Sequence, residues 1–363
     1  MNFQEAMAAW QADQPLFEAR GVSIPGVNSY IPDGWKSNWL LAMDAQPQLA
    51  GTSANSGVPM MFTTLVDPSV FQVLFAPLEA ANILGEERKG TWLDQTAMFP
   101  TVEHTGETSS YGDFNENGRA NVNTNWPQRQ SYLFQIMKEY GDLELERAGL
   151  GRINWVSEID QGAADILART QNFSYFFGVQ GLQNYGLLND PNLSAALTPG
   201  TKAVHTPVWI FGGVVTATAN EIYTDVQSLF IQLVNQSAGL VKPTDKLVLA
   251  MSPASSVALT TTNQYNVNVY DLLKKNFPNI RFETAMQYGV ISASNPEGSA
   301  GGNMMQMIAE TVGGQKTGYC AFNEKMMSSP IIRAVSSYKQ KVTGGTWGAI
   351  NRQPLGIATM LGI

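Results

Sequence analysis

Asp113-Phe114-Asn115-Glu116-Asn117-Gly118 sets oxygen-bearing side chains at alternate positions ahead of a glycine, the spacing with which the opening of a calcium loop surrounds its ion. The twelfth position, where such a loop needs a bidentate glutamate, is Thr124. The run therefore reads as a polar hairpin tip in which Asn117-Gly118 sets the turn. His104 and His205 are the only histidines and Cys320 the only cysteine, all far apart in sequence. Glu103 and Glu107 flank His104, but on an extended segment residues an odd number apart point to opposite faces. One cysteine forms neither an intrachain disulfide nor a cysteine-based zinc site within one chain. Gly313-Gly314-Gln315-Lys316-Thr317 lacks the glycine spacing of a phosphate loop, and Gly298, Gly301 and Gly302 follow a polar turn instead of a strand; both read as flexible loops. Gly51 to Gly57 lacks the spacing of a nucleophile elbow, and the pairs Met60-Met61, Met304-Met305 and Met326-Met327 suit adaptable packing. These residues predict no catalytic group, no metal and no cofactor.

The elements are then read for what else they hold in place. A short helix is expected over Phe3 to Ala12, followed to about residue 66 by a stretch broken by Pro15, Pro25, Pro32, Pro47 and Pro59, with Trp35 and Trp39 between them. Such a segment buries too little apolar area to offset its own ordering, and suits an arm lying on other structure. Asp67-Pro68 starts a helix running through Ala76, and Leu78 to Leu84 adds a turn or two before Gly85. A long helix begins near the cap Asn154, with Val156, Ile159, Ala163, Ile166, Thr170 and Phe173 forming one stripe. After a loop-rich stretch to about residue 215, Asn220 caps a helix carrying Ile222, Val226, Leu229, Phe230 and Leu233. Strands are expected at Lys246 to Met251, Ile280 to Ala285, Met304 to Glu310, Gly318 to Asn323 and Ile331 to Thr343, with short helices over Pro253 to Leu259 and Val269 to Phe277. Two short extended pieces finish the chain. Mixed α+β with two lobes summarises the pattern.

The segment between these parts stands out. Residues 91 to 104 are strand-like, and residues 119 to 146 return with alternating apolar positions that include Val122, Trp126, Tyr132, Phe134, Ile136, Leu143 and Leu145. Between Glu103 and Asn125 only Tyr111, Phe114, Ala120 and Val122 are apolar. Arms of about 12–15 residues at ~3.3 Å each would reach roughly 40–50 Å. A lone two-stranded hairpin is marginal in water, so one this polar either stays mobile or is held by a neighbouring molecule.

Composition agrees. Charged residues make up only 14% of the 363, while 26 Asn and 23 Gln supply neutral polarity, which predicts a surface that is polar but largely uncharged. The apolar fraction of 44% excludes global disorder. A net charge of −8 and a pI near 4.9 argue against sequence-specific nucleic-acid binding. The N-terminus has no basic flank before an apolar stretch, and the most apolar window, Pro207 to Ala219, is interrupted by Gly212 and Gly213 and falls short of the ~20 residues a bilayer needs. A soluble chain is expected.

The order of parts resembles the tailed-phage major capsid proteins with the Hong Kong 97-like fold. The wording is similar too, through Val70-Phe71-Gln72-Val73-Leu74-Phe75-Ala76-Pro77, Tyr111-Gly112-Asp113, Tyr140-Gly141-Asp142 with Glu146-Arg147-Ala148, and Gly186-Leu187-Leu188-Asn189-Asp190-Pro191. The resemblance implies an α+β fold with an N-terminal arm and connecting helix (1–85), a long two-stranded extension or E-loop (86–146), a peripheral domain with a spine helix (147–199), an axial domain (200–320) and return strands of the peripheral domain (321–363). It implies a non-enzymatic shell protein that forms hexamers and pentamers around double-stranded DNA without reading its sequence. The expected location is the virion capsid, after assembly in the host bacterial cytoplasm, with a portal, a separate scaffolding protein and a decoration protein as partners. Some members crosslink through a lysine in the extension, and residues 90 to 130 contain none. If the extension clamps a neighbour, Glu107, Tyr111, Asp113, Arg119, Trp126 and Arg129 are the expected contacts. Two other readings stay open at this stage: an encapsulin-type compartment built on the same fold, and an α+β enzyme or binding module using Lys246 to Ala285.

Overall fold

A computed structural model of the chain describes residues 78–363 apart from Arg152, Thr206 and Ser294, all within the unit Gln72–Ile363. The expected arm, the helices over Phe3 to Ala12 and Asp67 to Ala76, the Gly51 to Gly57 run, Met60-Met61 and the Val70 to Pro77 wording lie outside the described residues.

The described chain opens with α1 (Ala80–Leu84), closed by Gly85 at φ +81°. β1 (Glu86–Arg88) follows, then the extension: β2 (Thr96–Met98), β3 (Thr101–Glu107), β4 (Arg119–Asn125) and β5 (Gln128–Gln130). β6 (Tyr132–Gly141) and α2 (Asp142–Leu150) lead to the long helix α3 (Trp155–Phe177). The short strands β7 (Ile210–Phe211) and β8 (Val214–Val215) precede α4 (Ala219–Gln236), β9 (Leu247–Met251), α5 (Pro253–Ala258), α6 (Val269–Asn276) and β10 (Ile280–Thr284). The chain ends with β11 (Met304–Ala309), β12 (Thr311–Val312), β13 (Gln315–Lys316), β14 (Gly318–Ser328), β15 (Ile332–Arg333), β16 (Ser337–Asn351) and β17 (Ile357–Leu361).

Two sheets organise these elements. In the first, β16 pairs antiparallel with β14 on one side and with β6 along Ser337↔Gly141 to Thr346↔Tyr132, while β1 joins β14 in parallel. The second has the order β10-β9-β11-β17. Every residue of β9 is buried, and strand alternation sends its side chains to two different cores. Leu247, Leu249 and Met251 pack with Ile222, Val226, Leu229 and Leu233 of α4. Val248 and Ala250 pack with Phe176, Leu187, Tyr288 and Cys320 at the end of α3. Because both of its faces are covered, β9 reads as a continuous apolar run.

Several expectations shift. α4 is capped by Thr218 and not Asn220: Glu221 accepts from the Thr218 N–H at 2.7 Å, a reciprocal box that satisfies free amides at the helix start. Leu143 and Leu145 lie in α2, not on a returning strand. Glu144 there accepts from Gly141 N–H at 3.2 Å, and acidic residues in the first turn favour the helix. The strand expected over Ile331 to Thr343 is β16, which starts at Ser337 and continues to Asn351. The strands expected to return together over 321–363 divide, since β17 pairs with β11 in the second sheet.

The stripe on α3 is also displaced. Ile166 and Phe173 are 44% and 41% exposed, and the buried face carries Ala163, Leu167, Gln171 and Ser174. Polar burial is possible because each group is satisfied. Gln171 Nε2 donates to Tyr175 Oη, which donates to Glu86 Oε1, both at 2.7 Å. Ser174 Oγ reaches Thr346 Oγ1 at 2.9 Å, and Asn172 Oδ1 accepts from Ala80 N–H at 3.1 Å.

Gly178 ends α3 at φ +66°, and a Cβ there would lie 2.2 Å from the Asn184 carbonyl oxygen. Gly178→Ala is expected to lose about 2–4 kcal/mol, from left-handed strain and overpacking together. Gly212→Ala, at φ +61° with open space around it, should lose about 1–2 kcal/mol from strain alone. Chemical unfolding of both variants tests the difference.

Candidate assembly interface

β2–β5 and β3–β4 form one hairpin in a single register. Thr96 faces Gln130, Met98 faces Gln128, Thr101 faces Asn125 and Glu107 faces Arg119. Pro100 and Pro127 interrupt the ladder, since neither has an N–H to donate, and Phe99 N–H to Pro127 O at 2.9 Å bridges the gap. Twelve residues per arm at ~3.3 Å give a reach of about 40 Å. No residue of β3 or β4 is buried. Val102, Val122 and Trp126 stand exposed on the arms, and Phe114 is fully exposed at the tip.

The tip is an eleven-residue loop, 108–118, and the expected turn at Asn117-Gly118 forms its last part. Asn115 organises it. Its Nδ2 donates to Ser110 O at 2.7 Å and its Oδ1 accepts from Asn117 N–H at 2.9 Å. Gly118, at φ +90°, returns the chain to the ladder. Tyr111 Oη donates to Asp113 Oδ1 at 2.8 Å. Among the described residues no three His, Cys, Asp or Glu side chains are grouped to hold a metal. His104 lies on β3, and His205 stacks on Phe211 with ring centroids 3.8 Å apart. Burial pushes the Cys320 thiol well up, with the Glu86 charge adding to it.

The hairpin's root is fixed where its arms are not. Arg129 is buried and its Nη2 lies 2.8 Å from Asp190 Oδ2. Its guanidinium also sits 4.6 Å above the Tyr185 ring. Asp190 accepts further from Asn351 Nδ2 and Asn192 N–H. Gln130 exchanges two bonds with Gln183, its N–H to the Gln183 carbonyl and its Oε1 from the Gln183 N–H. Ala97 and Phe99 pack on Tyr319, Trp347 and Ile350. Arg129, expected at a contact with a neighbour, is therefore an anchor within its own chain. Glu107, Tyr111, Asp113, Arg119 and Trp126 are exposed. They spread along the arms and tip, where Glu107 stands opposite Arg119 in the ladder and Tyr111 hydrogen-bonds Asp113.

Beside the root lies a group of cations invisible in the sequence, because its members come from three distant segments. Lys89, Lys316 and Arg352 surround Tyr319, at 5.0, 5.5 and 5.6 Å from the ring centroid. Lys316 is carried by the β12–β13 hairpin. Its Gly313-Gly314, at φ +57° and +79°, form a tight two-residue turn where a flexible loop was expected. Glu87 is shared by Lys316 at 2.8 Å and Lys89 at 3.0 Å. The hydrogen bond from Lys316 holds its carboxyl below the usual range, with a smaller contribution from Lys89 and partial burial opposing both. Arg352 has no carboxylate partner among the described residues.

With this geometry in place, the comparisons with known proteins are informative. The family described as "Pa193 gp26 major capsid protein" matches residues 49–362. No curated protein matches in sequence. Among solved structures, the capsid of Myoviridae phage XM1 is similar at TM-score 0.67 and 13% identity, covering 87% of this chain and 100% of that one. The structure titled Gordonia phage Cozz has TM-score 0.53 at 11% identity, covering 88% and 98%. The capsid of the empty GTA particle has TM-score 0.52 at 9% identity, covering 85% and 99%. At such identities the likeness is one of fold, and with the architecture above it is the Hong Kong 97-like α+β fold. No helix among the described residues is long and apolar enough to cross a membrane.

Arg129→Met removes one partner of a buried pair and should cost about 3 kcal/mol, mostly by leaving the Asp190 carboxylate uncompensated. Amide hydrogen exchange should accelerate over Thr96–Met98 and Gln128–Gln130 while Leu247–Met251 stays protected.

Proposed function

The chain belongs to the Pa193 gp26 major capsid protein family, and we propose that its copies group as hexamers and pentamers around double-stranded DNA, each held to the next by the 96–130 hairpin. The role of such a protein is structural: it builds a capsid from copies of itself and resides in the virion. The observation that supports the hairpin's part is that neither β3 nor β4 buries a residue in its own chain. A ribbon exposed on both faces is marginal in water, and a neighbouring copy supplies the missing surface. Glu107, Tyr111, Asp113, Arg119 and Trp126 are the side chains offered to that neighbour, and Arg129 fixes the angle at which they are offered.

Within this reading the chain divides into an N-terminal arm (1–85), the extension (86–146), a peripheral domain with its spine helix (147–199), an axial domain (200–320) and a return through the peripheral sheet (321–363). The last strand, β17, completes the axial sheet. Assembly takes place in the host bacterial cytoplasm with a portal, a separate scaffolding protein and a decoration protein. An acidic chain suits a wall that encloses DNA without gripping it.

Replacing Ser109–Gly118 with a short turn tests the hairpin's part. The subunit is expected to fold with unchanged unfolding behaviour, while negative-stain electron microscopy and sedimentation show few intact shells. Normal shells from this variant would remove the hairpin from the proposal. Rings or closed shells of the full chain, expressed with its phage neighbours, are the expected result for hexamers and pentamers, and monomers under all conditions would overturn it.

A further inference from the structure

The two ends of the hairpin carry opposite charge. Glu103, Glu107, Asp113 and Glu116 lie on the outer arms and tip against Arg119 alone, all exposed. None of these four carboxylates forms a direct ion pair among the described residues, and only Glu107 has a cation beside it, Arg119 opposite in the ladder. At the root, Lys89, Lys316 and Arg352 cluster around Tyr319 with only Glu87 paired among them. The Tyr319 hydroxyl there is buried without a hydrogen-bond partner. In a chain with 30 acidic and 22 basic residues, such a cation group lacking its full counter-charge is notable. The chain's own tip cannot supply it, because the paired arms hold tip and root about 40 Å apart.

We infer that the acidic tip of one copy docks on the Lys89–Lys316–Arg352 group of the next copy. This rests on the reading of the hairpin as a clamp, and adds to it the landing site and the chemistry of the contact. A contact between two different patches of identical subunits is heterologous, and repeated head to tail it closes rings when the rotation permits. Charge at both ends sets the direction of that repeat: tip meets root favourably, while tip against tip and root against root repel. The exposed pairs formed this way are screened over about 8 Å at physiological salt, so ring formation weakens as ionic strength rises.

Three variants of the full chain, expressed with its phage neighbours, test this. Glu107→Lys with Glu116→Lys reverses the tip, Lys316→Glu with Arg352→Glu reverses the root, and a third variant carries all four changes. Arg352→Glu alone, which breaks no ion pair, guards against loss of folding in the root variant. Each reversal alone is expected to cut shell yield about tenfold or more, and the fourfold variant to recover it. Root or tip reversal without loss of shells would overturn the inference, as would two failing reversals that do not rescue each other. If root reversal leaves shells intact but reduces retained DNA, the cations face nucleic acid and the inference falls. The Ser109–Gly118 replacement separates the two claims. Loss of shells there with normal shells from every reversal leaves the clamp standing and removes only the charge pairing.

Discussion

A two-stranded ribbon has no interior. Residues 96–130 cannot bury either face against the other, and strands so placed gain little beyond their ladder of hydrogen bonds. What the rest of the chain provides is therefore a fixed root. The Arg129–Asp190 pair, the Gln130–Gln183 exchange and the packing of Ala97 and Phe99 on Trp347 tie the ribbon to the loop after α3 and to β16. β16 is in turn held by β14 and β6 and backed by α3. The long helix, the first sheet and the hairpin root form one continuous chain of contacts, whereas β3 and β4 beyond Phe99 bury no residue in their own chain.

How much of this could be read from residues differs by kind of interaction. Elements set by local rules were legible. The Asn154 cap and Gly178 stop bracket α3, and the apolar run at 247–251 marks a strand covered on both faces. The polar stretch from Glu103 to Asn125 marks a hairpin without a core. Where side chains act across long separations, spacing carried no signal. Arg129 and Asp190 lie 61 positions apart, and nothing in either neighbourhood distinguishes an anchor from a surface arginine. Apolar spacing cannot register Gln171 and Ser174, which are interior only through their partners Tyr175 and Thr346, so the apolar stripe of α3 is not its buried face. Lys89, Lys316 and Arg352 come together through the sheet, so the cation group exists only in the fold.

The amides show the same distinction. Low charge with 49 Asn and Gln predicts a neutral polar surface, and the hairpin with its run of Asn121, Asn123 and Asn125 fits that. Others, however, are buried. From β11, Gln306 links Thr359 on the adjacent strand to Tyr288 in the helical turn after β10, Asn184 joins Gln130 to Thr346, and Asn323 donates to Ser131. An amide carries both donors and an acceptor without the desolvation cost of a charge. It can therefore link segments through a covered interior where a salt bridge would stabilise little.

The polarity of the ribbon itself follows from the fact that it has two unpaired edges. An exposed, flat apolar strand templates pairing with any similar edge and leads to aggregation. Here the arms are interrupted by Pro100 and Pro127 and filled with Asn, Thr and Glu, so edge-to-edge pairing between free subunits is discouraged before assembly. In the proposed clamp the same choice weakens each contact the ribbon would make with a neighbouring copy. Many identical weak contacts closed by symmetry are nonetheless collectively strong, because once a ring is formed each further contact is effectively intramolecular. If the ribbon clamps a neighbour as proposed, a polar ribbon on an anchored root lets subunits stay apart while free and hold together once the ring has closed.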